Sequence, residues 1–140
     1  MNTRDEQWRV DLRAKIKAKD RTNLTRVHMP ELDPEYRSHI RNEEVNLGLT
    51  PAQAMAEAQR CLDCVNPTCM EGCPVSIKIP DFIKFIETGE FLEAAKVLKM
   101  TSALPAVCGR VCPQERQCEE KCIHVKRKKE SVAIGHLERF

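Results

Sequence analysis

The sequence predicts an all-α domain whose helices are joined by irregular cysteine-rich loops. Three observations predict it. Apolar residues recur at helical spacing in several windows that open on capping signals. No stretch shows useful period-two alternation or an Asn-Gly or Asp-Gly hairpin turn. All eight cysteines lie between Arg60 and Cys122, where two groups of four thiols interrupt the helical pattern.

From Thr3 to about Asp20, Trp8, Leu12 and Ile16 make a narrow apolar stripe among charges, which predicts one amphipathic helix. The polar stretch RTNLTRVHMPELD that follows has no period and predicts an extended surface connection. Asp33-Pro34-Glu35 is a helix start: Asp caps free amides, Pro fits the first helical position and Glu complements the dipole. This helix is expected to reach about Asn46 and stop near Gly48. Thr50-Pro51-Ala52-Gln53 repeats the device as a capping box, and AQAMAEAQR then delivers Cys61 at a helix C-terminus.

Between Cys61 and Ile79, Pro67, Gly72 and Pro74 break any period, so a compact loop is expected. Pro80 to Glu87 reads as a helix with Gly89 as its C-cap, and Glu90 to about Met100 as another. LPAVCGRVCPQ reads as an interrupting turn, and Glu115 to Cys122 as a short helix. Ser131 is expected to cap a last amphipathic segment, VAIGHLERF. That segment is still running at Phe140, which predicts a longer parent protein.

Aromatics make up only 4% of the chain, so the core is expected to be thin and aliphatic, and a cross-link of some kind is physically useful. The net charge of +2 comes from interspersed signs and does not predict nucleic-acid or membrane-surface binding. The run Lys126 to Lys129 is read as a solvated face. The start, MNTRDEQWRV, has no apolar signal core, and no run approaches the ~18 apolar residues of a membrane span, so a cytoplasmic chain is expected. In a reducing compartment eight thiols point to metal ligation.

The first group is spaced C-x2-C-x4-C-x3-C-P: Cys61, Cys64, Cys69 and Cys73. The second holds Cys108, Cys112, Cys118 and Cys122, with Pro113 after Cys112. Disulfides fit poorly, because pairs two or three residues apart rarely reach the required geometry. Zinc is the stronger rival, since C-x2-C-like pairs make tetrahedral thiolate sites, but four ligands crowded into thirteen residues are unlike two separated knuckles. A four-iron cluster explains more: three closely spaced cysteines reach three corners, and a fourth, followed by Pro, is directed to another cluster. By that logic Cys61, Cys64 and Cys69 hold one cluster and Cys73 crosses to a second. Cys118 and Cys122, four apart on a helix, would face one side and reach both.

The segments RCLDCVNPTCMEGCPVSIKIPDFI, ALPAVCGRVCPQERQCEEKC and VAIGHLERF resemble the N-terminal iron–sulfur domain of the glutamate synthase small (β) subunit. Related domains open the dihydropyrimidine dehydrogenases and the large subunit of NADH-dependent ferredoxin:NADP reductases. The resemblance covers about Pro30 to Phe140. It implies an α-helical ferredoxin domain (31–140) with two 4Fe-4S clusters behind an N-terminal helical arm (1–30), ahead of an FAD- and NADPH-binding reductase. It also implies that Cys61, Cys64, Cys69 and Cys122 bind one cluster, and Cys73, Cys112 and Cys118 three corners of the other. The eighth ligand is Cys108 by count, or Glu138, because relatives can use a Glu or Gln of the final helix.

The function implied is electron relay between FAD and a large glutamate synthase subunit, or an equivalent redox partner. A related ferredoxin:NADP reductase or dihydropyrimidine dehydrogenase is the alternative owner, and a zinc-stapled interaction domain is the alternative class. No G-x-G-x-x-G can be drawn from the five glycines, so no flavin or nicotinamide site is expected in this chain, only in the full-length subunit. No catalytic triad, paired carboxylate or phosphate loop stands out, and no catalytic residue is assigned. His28, His39, His124 and His136 share no ligand spacing and are read as surface residues. Met70 and Met100 are expected to shield clusters, and Lys78 and Arg110 either to offset their negative charge or to be plainly solvated.

Overall fold

A computed structural model describes residues 3–140, and its regular structure is helical. The helices are α1 (Gln7–Lys15), α2 (Ala18–Asn23), α3 (Pro34–His39), α4 (Pro51–Ala58), α5 (Thr68–Glu71), α6 (Ile79–Thr88), α7 (Phe91–Lys99), α8 (Pro105–Val111), α9 (Ile123–Lys126) and α10 (Ile134–Arg139). Among the described residues no strand forms. One antiparallel bridge, Glu31 with Asn46, closes the segment around α3.

The organising helix is α6. Ile79, Phe82, Ile83 and Ile86 are fully buried on it, and it packs against both α4 and α7. The rest of the core is mostly aliphatic, with Ala54, Ala58, Ile77, Leu98, Ile134 and Leu137, as the scarcity of aromatics predicts. Gly89 ends α6 in the left-handed conformation (φ 83°), and α7 turns back along it. At the other end of the molecule α10 packs against α8.

Local signals placed helix starts well and helix lengths less well. The Thr50 box forms in both directions: the Gln53 amide donates to Thr50 Oγ1 (3.3 Å) and the Thr50 amide to Gln53 Oε1 (2.9 Å). Asp33 Oδ1 accepts from the amides of Glu35 and Tyr36, but α3 ends at His39 instead of continuing to Asn46. The bridge explains this, because Val45 and Leu47 are drawn into extended pairing with Leu32 and Pro30.

Four further expectations are corrected. The N-terminal helix is two helices, broken at extended Ile16. The segment around Cys108 is a helix, α8, with Pro105 at its first turn. From Glu115 to Cys122 there is only a 3-10 turn (Gln114–Arg116) followed by further turns, so Cys118 and Cys122 do not share a helix face. Ser131 does not cap α10. Its hydroxyl donates to Glu119 and its carbonyl accepts from Arg26 and Arg60.

Buried charge was not anticipated at all. Arg9, Arg21, Arg60 and Lys84 are enclosed, each paired with a buried or half-buried carboxylate. Arg60 donates to Glu57 and to the carbonyls of Glu130 and Ser131, while Glu57 also accepts from the amides of Val27 and Ala133. This network ties α4 to the approach to α10. The basic run is exposed, as read, although Lys129 Nζ donates to Thr22 O (2.9 Å) and Arg127 to Thr22 Oγ1 (3.2 Å). Among the described residues no helix is long and apolar enough to cross a membrane.

Candidate metal centre

The cysteines are carried by α5 and α8, by helix ends and by the irregular segments between helices. Cys61 follows α4, Cys64 sits three residues on, and α5 carries Cys69. Between Cys61 and Cys64 the chain reverses at Asp63, a non-glycine residue in the left-handed region (φ 53°). Such a conformation is tolerated by Asp better than by most residues and is held here by the surroundings. Cys122 is the residue before α9.

These four thiols line one cavity, although Cys122 is far from the other three in sequence. Its wall is otherwise mostly apolar, built from Pro67, Ile79, Pro80, Ile83, Val132 and Ile134. His124 also lines it, which corrects the expectation of a surface histidine. Its ring is fully buried, with Nε2 3.0 Å from the Arg60 carbonyl and Nδ1 without a partner. His136 is half-buried, again with an unpartnered Nδ1.

The remaining thiols form a second neighbourhood. The Cys112 thiol lies within electrostatic reach of Cys108, Glu138 and Cys73, and the Cys118 thiol within reach of Cys73 and Glu138. Here α8 supplies Cys108, its C-cap Cys112, and α10 Glu138. The fold therefore brings both candidates for an eighth ligand, Cys108 and Glu138, to the same place. Cys108 Sγ also lies 3.9 Å from the hydroxyl of buried Ser102. The Cys69 thiol lies within electrostatic reach of Cys118, which links the two neighbourhoods.

Burial dominates the electrostatics. It pushes the Cys61 thiol up to about 11, against the pull of the Lys84 ammonium. Cys118 is pushed up to about 12 by burial and then by the Glu119, Cys73 and Glu138 charges nearby. Burial raises Cys69 most, with Cys61, Cys122 and Cys64 adding to it, and raises Cys64 and Cys112 as well. Burial alone raises the Glu138 carboxyl to about 7. Thiols in this state hold their protons until a cation replaces them, so metal entry releases protons.

This donor set suits a multi-iron cluster. Four thiols surround an apolar hollow, and among the described residues no three Cys, His, Asp or Glu side chains converge closely enough to hold a single ion. A cube of four irons takes one thiolate per corner, which four thiols around a hollow can supply. A broader cleft lined by Arg4, Arg9, Cys64, Met70, Lys78 and Asp81 opens beside the first cavity. Met70 and Lys78 line this cleft together with Cys64. Met100 is exposed, and Arg110 pairs at the surface with Glu44 (2.7 Å).

Sequence reasoning missed Lys84, Glu87 and Asp63. Lys84 Nζ, fully buried, donates to the Cys61 carbonyl (2.7 Å) and to Glu87 Oε2 (2.6 Å). A signal existed: Lys84 and Glu87 are the charged pair, three apart, inside the otherwise apolar run FIKFIE. An amphipathic helix would have kept both on its wet face.

Residues 38–140 match the family model described as dihydropyrimidine dehydrogenase domain II, 4Fe-4S cluster. Among similar proteins, UacF of Escherichia coli (strain K12) is 44% identical over 98 residues, 69% of this chain and 15% of that protein. The glutamate synthase [NADPH] small chain of Escherichia coli (strain K12) is 41% identical over 118 residues, 84% of this chain and 25% of the relative. The NAD-dependent dihydropyrimidine dehydrogenase subunit PreT of Salmonella typhimurium (strain LT2) is 38% identical over 98 residues, 70% of this chain and 24% of that subunit. The chain spans about a quarter or less of the length of these relatives.

Proposed function

This chain belongs to the family of 4Fe-4S domains described for dihydropyrimidine dehydrogenase domain II, and on that premise we propose that it is a two-cluster electron relay. The observation that carries the reading is the gathering of Cys61, Cys64, Cys69 and Cys122 around one apolar cavity, with the other four thiols and Glu138 beside it. A 4Fe-4S cluster supplies one-electron transfer when bound, without bond-making at a substrate.

Cys61, Cys64, Cys69 and Cys122 hold the first cluster in this reading. Cys73, Cys112 and Cys118 hold three corners of the second, and Cys108 or Glu138 the fourth. Ile79, Ile83, Val132 and Ile134 exclude water from the first site, and Lys84 places a buried positive charge beside the Cys61 ligand. A dry wall disfavours added negative charge and a nearby ammonium favours it, so these residues set the potential in opposite directions.

Residues 31–140 form the cluster domain and residues 1–30 its arm. The glutamate synthase small chains among the relatives support placing the relay between an NADPH-reduced FAD, held by the remainder of a longer subunit, and a large partner subunit. The PreT similarity supports a dihydropyrimidine dehydrogenase-type oxidoreductase as the second reading. Protein purified without oxygen is expected to be brown, with an absorption band near ~400 nm and about eight irons and eight sulfides per chain, as two four-iron clusters require. A colourless chain carrying stoichiometric zinc would overturn the proposal in favour of a stapled interaction domain.

A further inference from the structure

The N-terminal arm lies outside residues 38–140 matched by the family model, yet it makes buried charged contacts with that part of the chain. They converge on one residue. Asp63 is fully buried, is left-handed in backbone, and stands between Cys61 and Cys64. Arg9 pairs with its carboxylate through two nitrogens, Nε at 3.4 Å being one, and Arg13 pairs with the same carboxylate. Arg4 Nε donates to the Asp63 carbonyl (3.1 Å). Arg9 also pairs with Asp81 in the first turn of α6, so one side chain ties α1 to both the first cysteine turn and α6.

A second chain of contacts reaches the same turn from below. Arg21 donates to both Glu87 oxygens (2.8 and 3.0 Å) and to the carbonyls of Leu12, Ile16 and Gln59. Glu87 accepts from Lys84, whose ammonium also donates to the Cys61 carbonyl. Both carbonyls that flank the turn, and its one carboxylate, are therefore held by cations, most of them from the arm.

We propose that the arm is a clamp on the first C-x2-C turn: Arg9 and Arg13, acting through Asp63, are positioning residues that govern how tightly the cluster on Cys61 and Cys64 is retained. The inference rests on the two-cluster reading. A left-handed aspartate is not a preferred conformation, so it persists only while its surroundings fix it. Taking away one guanidinium leaves a buried carboxylate under-compensated and frees the turn to open. The second group of thiols receives no contact from Arg9 or Arg13, so the effect should be confined to one cluster.

The test uses the full chain loaded without oxygen, with Arg9→Gln and Arg13→Gln made singly, and follows iron release to an added chelator. Half of the iron is expected to leave about tenfold faster than in the unaltered chain, within the 10–100-fold range seen when outer-shell partners of metal ligands are lost. The other half should leave at its usual rate, and Arg13→Lys, which keeps the charge, should restore retention. Arg13 is partly exposed, so its variant decides the matter if Arg9→Gln does not fold. Unchanged release, or equal acceleration of both halves, from a parent chain holding about eight irons would overturn the clamp alone. A parent chain that binds no iron would overturn the two-cluster reading and the clamp with it.

Discussion

Gly109 sits where the second group of thiols meets the last helix, and nothing larger fits. A Cβ there would lie 2.5 Å from the backbone nitrogen of Arg139. Helix propensity alone says Gly109→Ala should stabilise α8 by ~1 kcal/mol, whereas overpacking costs about 1–3 kcal/mol. The obstructing atom belongs to the backbone of α10, so the second effect should win. Denaturant unfolding is expected to show a less stable variant, and a stabilised one would mean that α8 and α10 separate freely. Glu138, on the same helix, gives a pH signature. Its folded-state pKa of about 7 exceeds the 4.5 of a free glutamate, so between those values the fold keeps a proton that the unfolded chain has lost. Stability of the metal-free chain should therefore be full at the acidic end of this window and fall as pH rises through it. Glu138→Gln should flatten that slope, as unfolding midpoints taken across the window would reveal.

At the scale of elements, what the sequence made legible followed from chemistry that is complete within a few residues. The Thr50–Gln53 box, the Asp33 cap and the Gly89 terminator are local, and all three occur as read. Of the thiols, the intervals group Cys61, Cys64 and Cys69, whereas Cys122 joins them in the sequence reading only through the family resemblance; all four line one cavity. The α8 helix was not legible, since Gly109 resembles a breaker until the close approach of α10 is known. The end of α3 depended on pairing between 30–32 and 45–47, and the break at Ile16 on arginines reaching across to α6 and its neighbours. None of these leaves a local mark. The inward charges of α6 do leave one, the Lys84 and Glu87 pair inside an apolar run, and Glu87 serves both Arg21 and Lys84. Glu87→Ala would strand two buried cations, and a loss of about 3–5 kcal/mol is expected. Calorimetric unfolding showing less than ~1 kcal/mol of change would place these charges in water, contrary to their burial.

For the whole molecule, a thin aliphatic core adjoins one cavity edged with four thiols and a second group of thiols, and the loops between the helices that carry them contain little regular structure. Total stability of a small domain is only about 5–15 kcal/mol, so a folded state that must also order such loops should lean on its cofactor. Iron removal is expected to lower helical circular dichroism together with the visible absorption, and a metal-free chain with unchanged dichroism would contradict this. The arm adds a second layer of control, fastening the first cysteine turn from outside the part of the chain that the family model covers. The central claim, that this domain carries electrons through two clusters of which neither is merely structural, is tested most directly by a redox titration of the anaerobically loaded chain followed by electron paramagnetic resonance. Two reversible one-electron steps are expected, each producing its own paramagnetic species. A chain that holds its full iron and sulfide yet shows no reversible reduction would contradict the account.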